Sequence, residues 1–315
     1  MGIFLRETVE SIQAQKGDFT IEKILIVDDR SSDAESRDIL KELAATHENV
    51  QILTNTGPRG PGAARNTGIN RVKNTWTAFL DADDIWPPDS LAKRLSALTD
   101  FPNAQWIGGD FYVWNPEKEP AAATPGPGMI ASNRVLRPYF ESAFQTGRPM
   151  QLESSYEAFI QHNLTTTGTI VARTEFLQAT GCFDPALRVA EDYHLWIRMA
   201  QRSPFIFVPC ITEKYRQHSA SITREKRPMR QYTTIAFQKL YAEEEQARIK
   251  RLIKQRIAQF EADNAEFYIA YRKYWTAANW LCKSVAKRPF RRKTIRRLLT
   301  TLIKAALPCL RDERA

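Results

Sequence analysis

Three short carboxylate clusters and three cations carry the residue types and spacing that could do chemistry in this 315-residue sequence. Asp81, Asp83 and Asp84 crowd three negative charges into four positions. Such charges repel one another unless a cation or a donor-rich ligand lies between them. Hard Mg²⁺ or Mn²⁺ is often held this way, by one or two carboxylates plus substrate phosphates. An acidic cluster can equally be a solvated turn, but this one ends an apolar strand, where open α/β sheets bind ligands. Asp28 and Asp29 either cap the next helix or accept hydrogen bonds from a base or ribose. Glu191 and Asp192 precede an apolar helical run (Leu195, Trp196, Met199). The helix dipole alone explains carboxylates there, and the same position keeps one ionised as a general base. Arg65 follows the loop Gly57 to Gly62 and could meet a phosphate. Arg216 and His218, with Tyr215 and Ser221, form a polar cluster able to face a diphosphate.

The elements that must position these groups read as alternating strands and helices. An apolar strand over 21–27 ends at Asp28, and Ser32 or Asp33 can cap a helix running to about His47. Strands follow at Val50 to Leu53, at about Thr77 to Leu80 and at Gln105 to Trp114, with helices starting near Ala63 and at Pro87-Pro88. The alternation predicts an α/β domain with a mostly parallel sheet flanked by helices. Asn115 to Gly128, rich in Pro, Ala and Gly, reads as a loop or insertion. A dinucleotide fingerprint fails, because Gly60 and Gly62 fit while Arg65 takes the third glycine position. That speaks against a Rossmann-type dehydrogenase.

Beyond residue 225 the pattern becomes helix only, so the expected domains are 1–224 and 225–315. Ile249, Leu252, Ile253, Ile257 and Phe260 share one helical face, as do Ile295, Leu298, Leu299, Leu302, Ile303 and Ala306. Between them, Phe267 to Lys287 reads as a helix dense in aromatics. Charge divides the same way. Residues 224–315 hold 23 Lys and Arg against nine Asp and Glu, a local +14, while 1–223 carry −5. From Phe267 to Arg311 there are 12 basic residues and no acidic one. No run approaches the roughly 18 apolar residues of a membrane span, and no leader is expected at the N-terminus. Cys182, Cys210, Cys282 and Cys309 are scattered, so reduced cytoplasmic thiols are expected.

Taken in order, these segments resemble the GT-A-fold glycosyltransferases of family 2. The run Asp28, Asp29, Arg30, Ser31, Ser32, Asp33 matches the family's Asp-Asp-Gly-Ser-Thr-Asp pattern. Ala64, Arg65, Asn66, Thr67, Gly68 matches its Ala-Arg-Asn-x-Gly helix start, and Leu80, Asp81, Ala82, Asp83, Asp84 its Leu-Asp-x-Asp-Asp run. Gly181 to Asp184, Glu191 to Arg198, and Tyr215, Arg216, His218 with Ser221 match three further segments. The resemblance implies an inverting, metal-dependent transfer of a sugar from a nucleotide-sugar donor, commonly a UDP-sugar. By it Asp29, with Asp28 beside it, contacts the base, and Asp81 and Asp83 bind the ribose and the metal–diphosphate. Asp84 shares the Mg²⁺ or Mn²⁺, and Asp192 is the base. Arg216 and His218 touch the diphosphate or order the loop over it. Arg65 stays a nucleotide-side cation, and Glu191 and Trp196 are candidates for the acceptor side.

Two departures set further expectations. Arg30 stands where the family usually has Gly, which alters the turn or brings a cation to the nucleotide. The family also begins with a central strand ending in Pro-x-Tyr-Asn, and this sequence starts just after it; an unpaired groove is expected there. A non-catalytic relative acting only as a binding protein is therefore the rival expectation. The basic tail has three readings: a helical subdomain with a solvated basic face, peripheral contact with an anionic membrane, or nucleic-acid binding, which no recognised module accompanies. The implied partners are a nucleotide-sugar donor and a glycan or lipid-linked acceptor, with no nucleic acid. The implied location is the cytoplasm, peripheral to the inner face of the plasma membrane, in polysaccharide or lipopolysaccharide synthesis.

Overall fold

The computed structural model describes residues 2–118, 126–218 and 228–306. The chain forms two compact units, Met1–Ser221 and Ile222–Ala315. In the first, the elements are α1 (Gly2–Gln13), β1 (Ile24–Asp28), α2 (Ala34–Thr46), β2 (Val50–Thr54), α3 (Pro61–Ile69), β3 (Trp76–Ala78), α4 (Ser90–Ser96) and β4 (Trp106–Trp114). They continue with α5 (Met129–Ser132), α6 (Glu141–Thr146), β5 (Met150–Leu152), α7 (Ser155–Gln161), β6 (Val171–Arg173), α8 (Thr174–Ala179), α9 (Glu191–Arg202) and β7 (Phe205–Arg216). The Asp33 carboxylate caps α2 by accepting from the Ser36 N–H at 2.7 Å.

The strands form a β1–β2 pair and a five-stranded sheet in the order β3-β6-β4-β7-β5. The expected mostly parallel sheet is corrected to a mixed one. Only β1–β2 and β4–β7 pair in parallel, while β3–β6, β4–β6 and β5–β7 are antiparallel. The cause is β6, which enters between β3 and β4 in the opposite direction, a long-range insertion that local periodicity does not encode. Among the described residues β1 and β3 do not pair with each other. That open edge lies where the resemblance expects a central strand.

Helix α1 joins the two sheets. Leu5 and Val9 pack with Ile24, Val50 and the α2 side chains Ile39, Leu40 and Leu43. Its polar side holds the turn that follows β3: the Thr8 hydroxyl donates to the Asp84 carbonyl at 2.8 Å, and Gln15 Nε2 to the Pro87 carbonyl at 2.7 Å. The centre of the larger sheet is aromatic. Trp106 lies 4.6 Å from Phe205 and 5.2 Å from Phe159, and Phe140 stacks on Phe207 at 4.0 Å. Rings packed this way bury large apolar areas and add specific edge and face contacts.

The second unit contains α10 (Met229–Glu243), α11 (Ala247–Ala270), α12 (Tyr274–Lys287) and α13 (Arg292–Ala306). Ile249, Ile253, Ile257 and Phe260 are buried on α11. The single helix expected over Phe267 to Lys287 is two helices. Arg272 takes a left-handed φ of 55°, and Lys273 N–H returns to the Tyr268 carbonyl at 2.8 Å, which closes α11. The helical face expected from Ile295 to Ala306 falls within α13.

Candidate active site

The acidic run leaves β3 and is fixed from both sides. Ile85 exchanges two backbone hydrogen bonds with Lys214 of β7, at 3.2 and 2.8 Å, so the end of β7 lies alongside Asp83 and Asp84. Asp84 is 1% exposed, and its Oδ1 accepts the Arg216 N–H at 2.7 Å. Arg216 is buried between the Phe4 and Trp114 rings, each 4.5 Å away. Its Nε donates to the Asp83 carbonyl at 2.6 Å and its Nη2 to Glu7 at 2.5 Å. The guanidinium thus holds the acidic turn from beneath. His218 Nε2 meets Asp83 Oδ2 at 3.0 Å, and Asp81 is the most open of the three carboxylates. Ser221 lies outside the described residues.

Arg65 joins this run to the start of α9. Its Nη2 donates to Asp81 at 2.6 Å and its Nη1 to Glu191 at 2.7 Å. Burial opposes the guanidinium's charge, but Asp81 and Glu191 outweigh it, and the pKa rises above its ordinary value. Burial and then the Asp192 charge push Glu191 up to about 7. Burial likewise raises Asp192, with Arg65 pulling it back. The sequence motifs interlock around this bridge. Asn66 exchanges two hydrogen bonds with the Phe183 backbone, at 2.8 and 3.0 Å, and Arg198 donates to the Cys182 carbonyl at 2.9 Å. The Phe183 ring lies under Arg65, with the guanidinium carbon 5.2 Å from its centroid.

At the end of β1 the carboxylates organise two turns. Asp28 Oδ1 accepts from Ser31 N–H at 3.0 Å and from its hydroxyl at 2.6 Å. Asp29 accepts from Asn55 Nδ2 at 2.5 Å and from Gly60 N–H at 2.9 Å, drawing the glycine loop against β1. Arg30 adopts a left-handed φ of 65°, the conformation that favours the family's glycine. Its guanidinium turns to the Gly57 carbonyl at 3.2 Å.

Two candidates are corrected or reassigned by burial. Trp196, an acceptor-side candidate from sequence, has 0% exposure and packs against Phe79, Phe183 and Trp106. The apolar period that marked its helix as buried also buries the indole itself. Glu191 is 5% exposed and engaged with Arg65.

Sequence reasoning missed a second layer beneath the acidic run. Glu213, 1% exposed, accepts from the Thr166 hydroxyl and is in hydrogen-bond contact with Asp84. Burial lifts Glu213 to about 7 and raises Asp84 well above the usual carboxylate range. Two carboxyls in contact need a proton between them. Arg94, fully buried, donates to the carbonyls of Gly168 and Thr169 at 3.2 and 2.8 Å and lies over the Trp86 ring. Burial pushes its pKa down to about 9. No motif announced Glu213 or Arg94; a charged residue inside an otherwise apolar segment was the available signal.

Asp84 is raised in part by the charges of Asp81 and Asp83, and Asp192 by that of Asp81. This crowding of negative charge suits a cation. Asp81 and Asp83 are the partly open carboxylates of the run, a donor set that fits a hard ion held by one or two carboxylates and by oxygens of a bound ligand.

The family model for Glycosyl transferase family 2 matches residues 4–158. That segment, just under half of the chain, is of glycosyl transferase family 2. ExoO, a succinoglycan biosynthesis protein of Rhizobium meliloti, is 31% identical over 191 residues, 59% of the chain. The chain spans about half (49%) of ExoO's length. TarS of S. aureus, in complex with UDP-GlcNAc, superposes with a TM-score of 0.60 at 14% identity, covering 96% of this chain and 84% of TarS. Mannosyltransferase PcManGT of Pyrobaculum calidifontis, in complex with GDP-Man and Mn²⁺, gives 0.58 at 17% identity, covering 99% and 79%. Both likenesses show the GT-A fold. ExoW, a second succinoglycan biosynthesis protein of Rhizobium meliloti, is 36% identical over 122 residues, 35% of this chain and 36% of ExoW.

Proposed function

We propose that this glycosyltransferase moves a sugar from a UDP-sugar to a hydroxyl of a glycan or lipid-linked acceptor, with inversion at the anomeric carbon. It would do so in cell-surface polysaccharide or lipopolysaccharide synthesis, as a peripheral protein at the inner face of the plasma membrane. The observation that carries the reading is the Arg65 bridge from Asp81 to Glu191, which ties the acidic run to the first turn of α9. One cation thereby sets a donor-side carboxylate and the Asp192 carboxylate in a common site.

In this reading Asp29 and Asp28 receive the base, while Asp81 and Asp83 receive the ribose and diphosphate. Asp83 would hold the Mg²⁺ or Mn²⁺, which would supply positive charge beside the diphosphate. Asp84, which the resemblance implies shares the metal, is enclosed with Glu213 and in this reading braces the run from below instead, and Arg216 fixes the loop that presents His218 to Asp83. Asp192 takes the proton from the acceptor hydroxyl. Burial raises its pKa and makes it a stronger base, while the Arg65 charge favours its ionised form. Attack from the face opposite the leaving diphosphate inverts the configuration.

A second reading is a binding protein without transfer activity. Calorimetric titration of UDP with and without Mn²⁺, paired with turnover of UDP-sugars, separates the two. The transferase reading expects metal-dependent UDP binding that Asp83→Ala abolishes. It also expects Asp192→Asn to retain UDP binding and lose turnover by a factor of about 10² to 10⁴. UDP binding by an inactive wild-type chain supports the second reading, and binding of another nucleoside diphosphate in place of UDP overturns the donor assignment.

A further inference from the structure

Helix α13 divides its large apolar residues between two sides: Leu298 packs against the core of Ala265, Ala277 and Leu281, while Leu299 and Ile303 face outward. Thr294, Thr301 and Ala305 are its buried positions, whereas Leu299 is 56% and Ile303 53% exposed. Ile295, Leu299 and Ile303 recur at every fourth residue and so form one stripe along the helix. Arg292 and Arg296, each three positions before a stripe residue, run beside it, and both are exposed, as are Lys293 and Lys304. Phe290, just before the helix, is 94% exposed. A helix that only covered a core would need the Leu298 side alone and would not carry a second apolar stripe on its outer side.

We propose that this face of the second unit docks on an anionic lipid bilayer. Phe290, Leu299 and Ile303 enter the boundary between headgroups and acyl chains, while Arg292, Lys293, Arg296 and Lys304 meet lipid phosphates. A helix lying in that boundary needs an apolar stripe flanked by Lys and Arg. Charge selects this occupant over a second copy of the chain. A two-fold dimer through the same patch would bring these arginines against themselves, in a stretch with 12 basic residues and no acidic one. Nucleic acid would use the cations but would leave Phe290, Leu299 and Ile303 in water. The assignment deepens, and rests on, the proposed work at the inner membrane face.

The test is co-sedimentation of the full chain with vesicles of phosphatidylglycerol in phosphatidylcholine, and of phosphatidylcholine alone, with UDP titrated in parallel. Binding to the anionic vesicles that falls with added salt is expected. Arg292→Gln with Arg296→Gln should weaken it about twenty-fivefold, each charge contributing roughly fivefold. Leu299→Gln with Ile303→Gln should weaken it by about tenfold or more at unchanged charge. Arg251→Gln with Lys254→Gln, exposed on α11, is the charge-matched control and should lose little. All three pairs sit on the surface, and circular dichroism checks their fold. Wild-type protein that ignores anionic vesicles overturns the proposal, as does a control pair that loses as much as the arginine pair. So does a Leu299/Ile303 pair that alters self-association instead, or tight DNA binding without vesicle binding. UDP binding with no vesicle binding refutes this face alone, and vesicle binding with no UDP binding refutes the donor assignment alone.

Discussion

Replacing Arg65 with Met removes the cation between Asp81 and Glu191 while keeping much of the side-chain volume. Glu191 is 5% exposed, so its carboxylate would be left buried without its partner. Breaking such a pair costs about 3 to 5 kcal/mol, unless the orphaned group takes up a proton. In the intact protein Glu191 titrates at about 7 against an ordinary 4.5. Its raised pKa adds stability that is fully present below the unfolded pKa and is lost as pH rises to about 7. Removing Arg65 lifts the folded pKa further, so the variant keeps losing stability above pH 7, where the intact protein has levelled off. One proton changes stability by about 1.4 kcal/mol per pH unit. Between about pH 7 and about pH 8.5 the gap between variant and parent should therefore widen by roughly 2 kcal/mol. Urea unfolding followed by circular dichroism at the two pH values measures it. An Arg65→Met penalty equal at both values would refute the argument, because Glu191 would then not be the anion that Arg65 neutralises.

Two further outcomes follow from backbone and packing. Arg30→Gly relieves the left-handed φ of 65° at the expense of one exposed hydrogen bond, and should raise stability by about 0.5 to 1 kcal/mol in thermal melts. Gly168→Ala would set a Cβ into the Glu213 carboxylate, against Oε1. It should destabilise by about 1 to 3 kcal/mol in urea titrations, with much of the loss recovered in the double variant carrying Glu213→Ser.

The legible part of the molecule was its local part. Apolar runs ending in Asp28 and before Asp81 fixed two strands. Asp33 capped its helix, and the motifs around Arg65, Asn66, Phe183, Asp192 and Arg198 were readable because each is a short run with its own turn or helix start. Backbone hydrogen bonding and side-chain period act within a few residues, so they leave a trace in the chain itself. The open edge beside β1 was likewise expected from the segments that were matched and the one that was not.

Direction and depth were decided only by the tertiary structure. That β6 runs against β4 depends on contacts more than sixty residues apart, and the sheet is mixed for that reason. The period that placed Trp196 on an apolar helix face could not say that this face meets Trp106 and Phe183, which removes the indole from any ligand. Asp84 looks like its neighbours in sequence, yet β7 brings Glu213 and the Arg216 N–H to it and encloses it. Burial of a charge is set by what the whole chain packs around it, and its cost is met by partners far away in sequence. The same holds in reverse for α13: the sequence determined an amphipathic cationic helix, and packing decided that its leucine and isoleucine stripe faces outward.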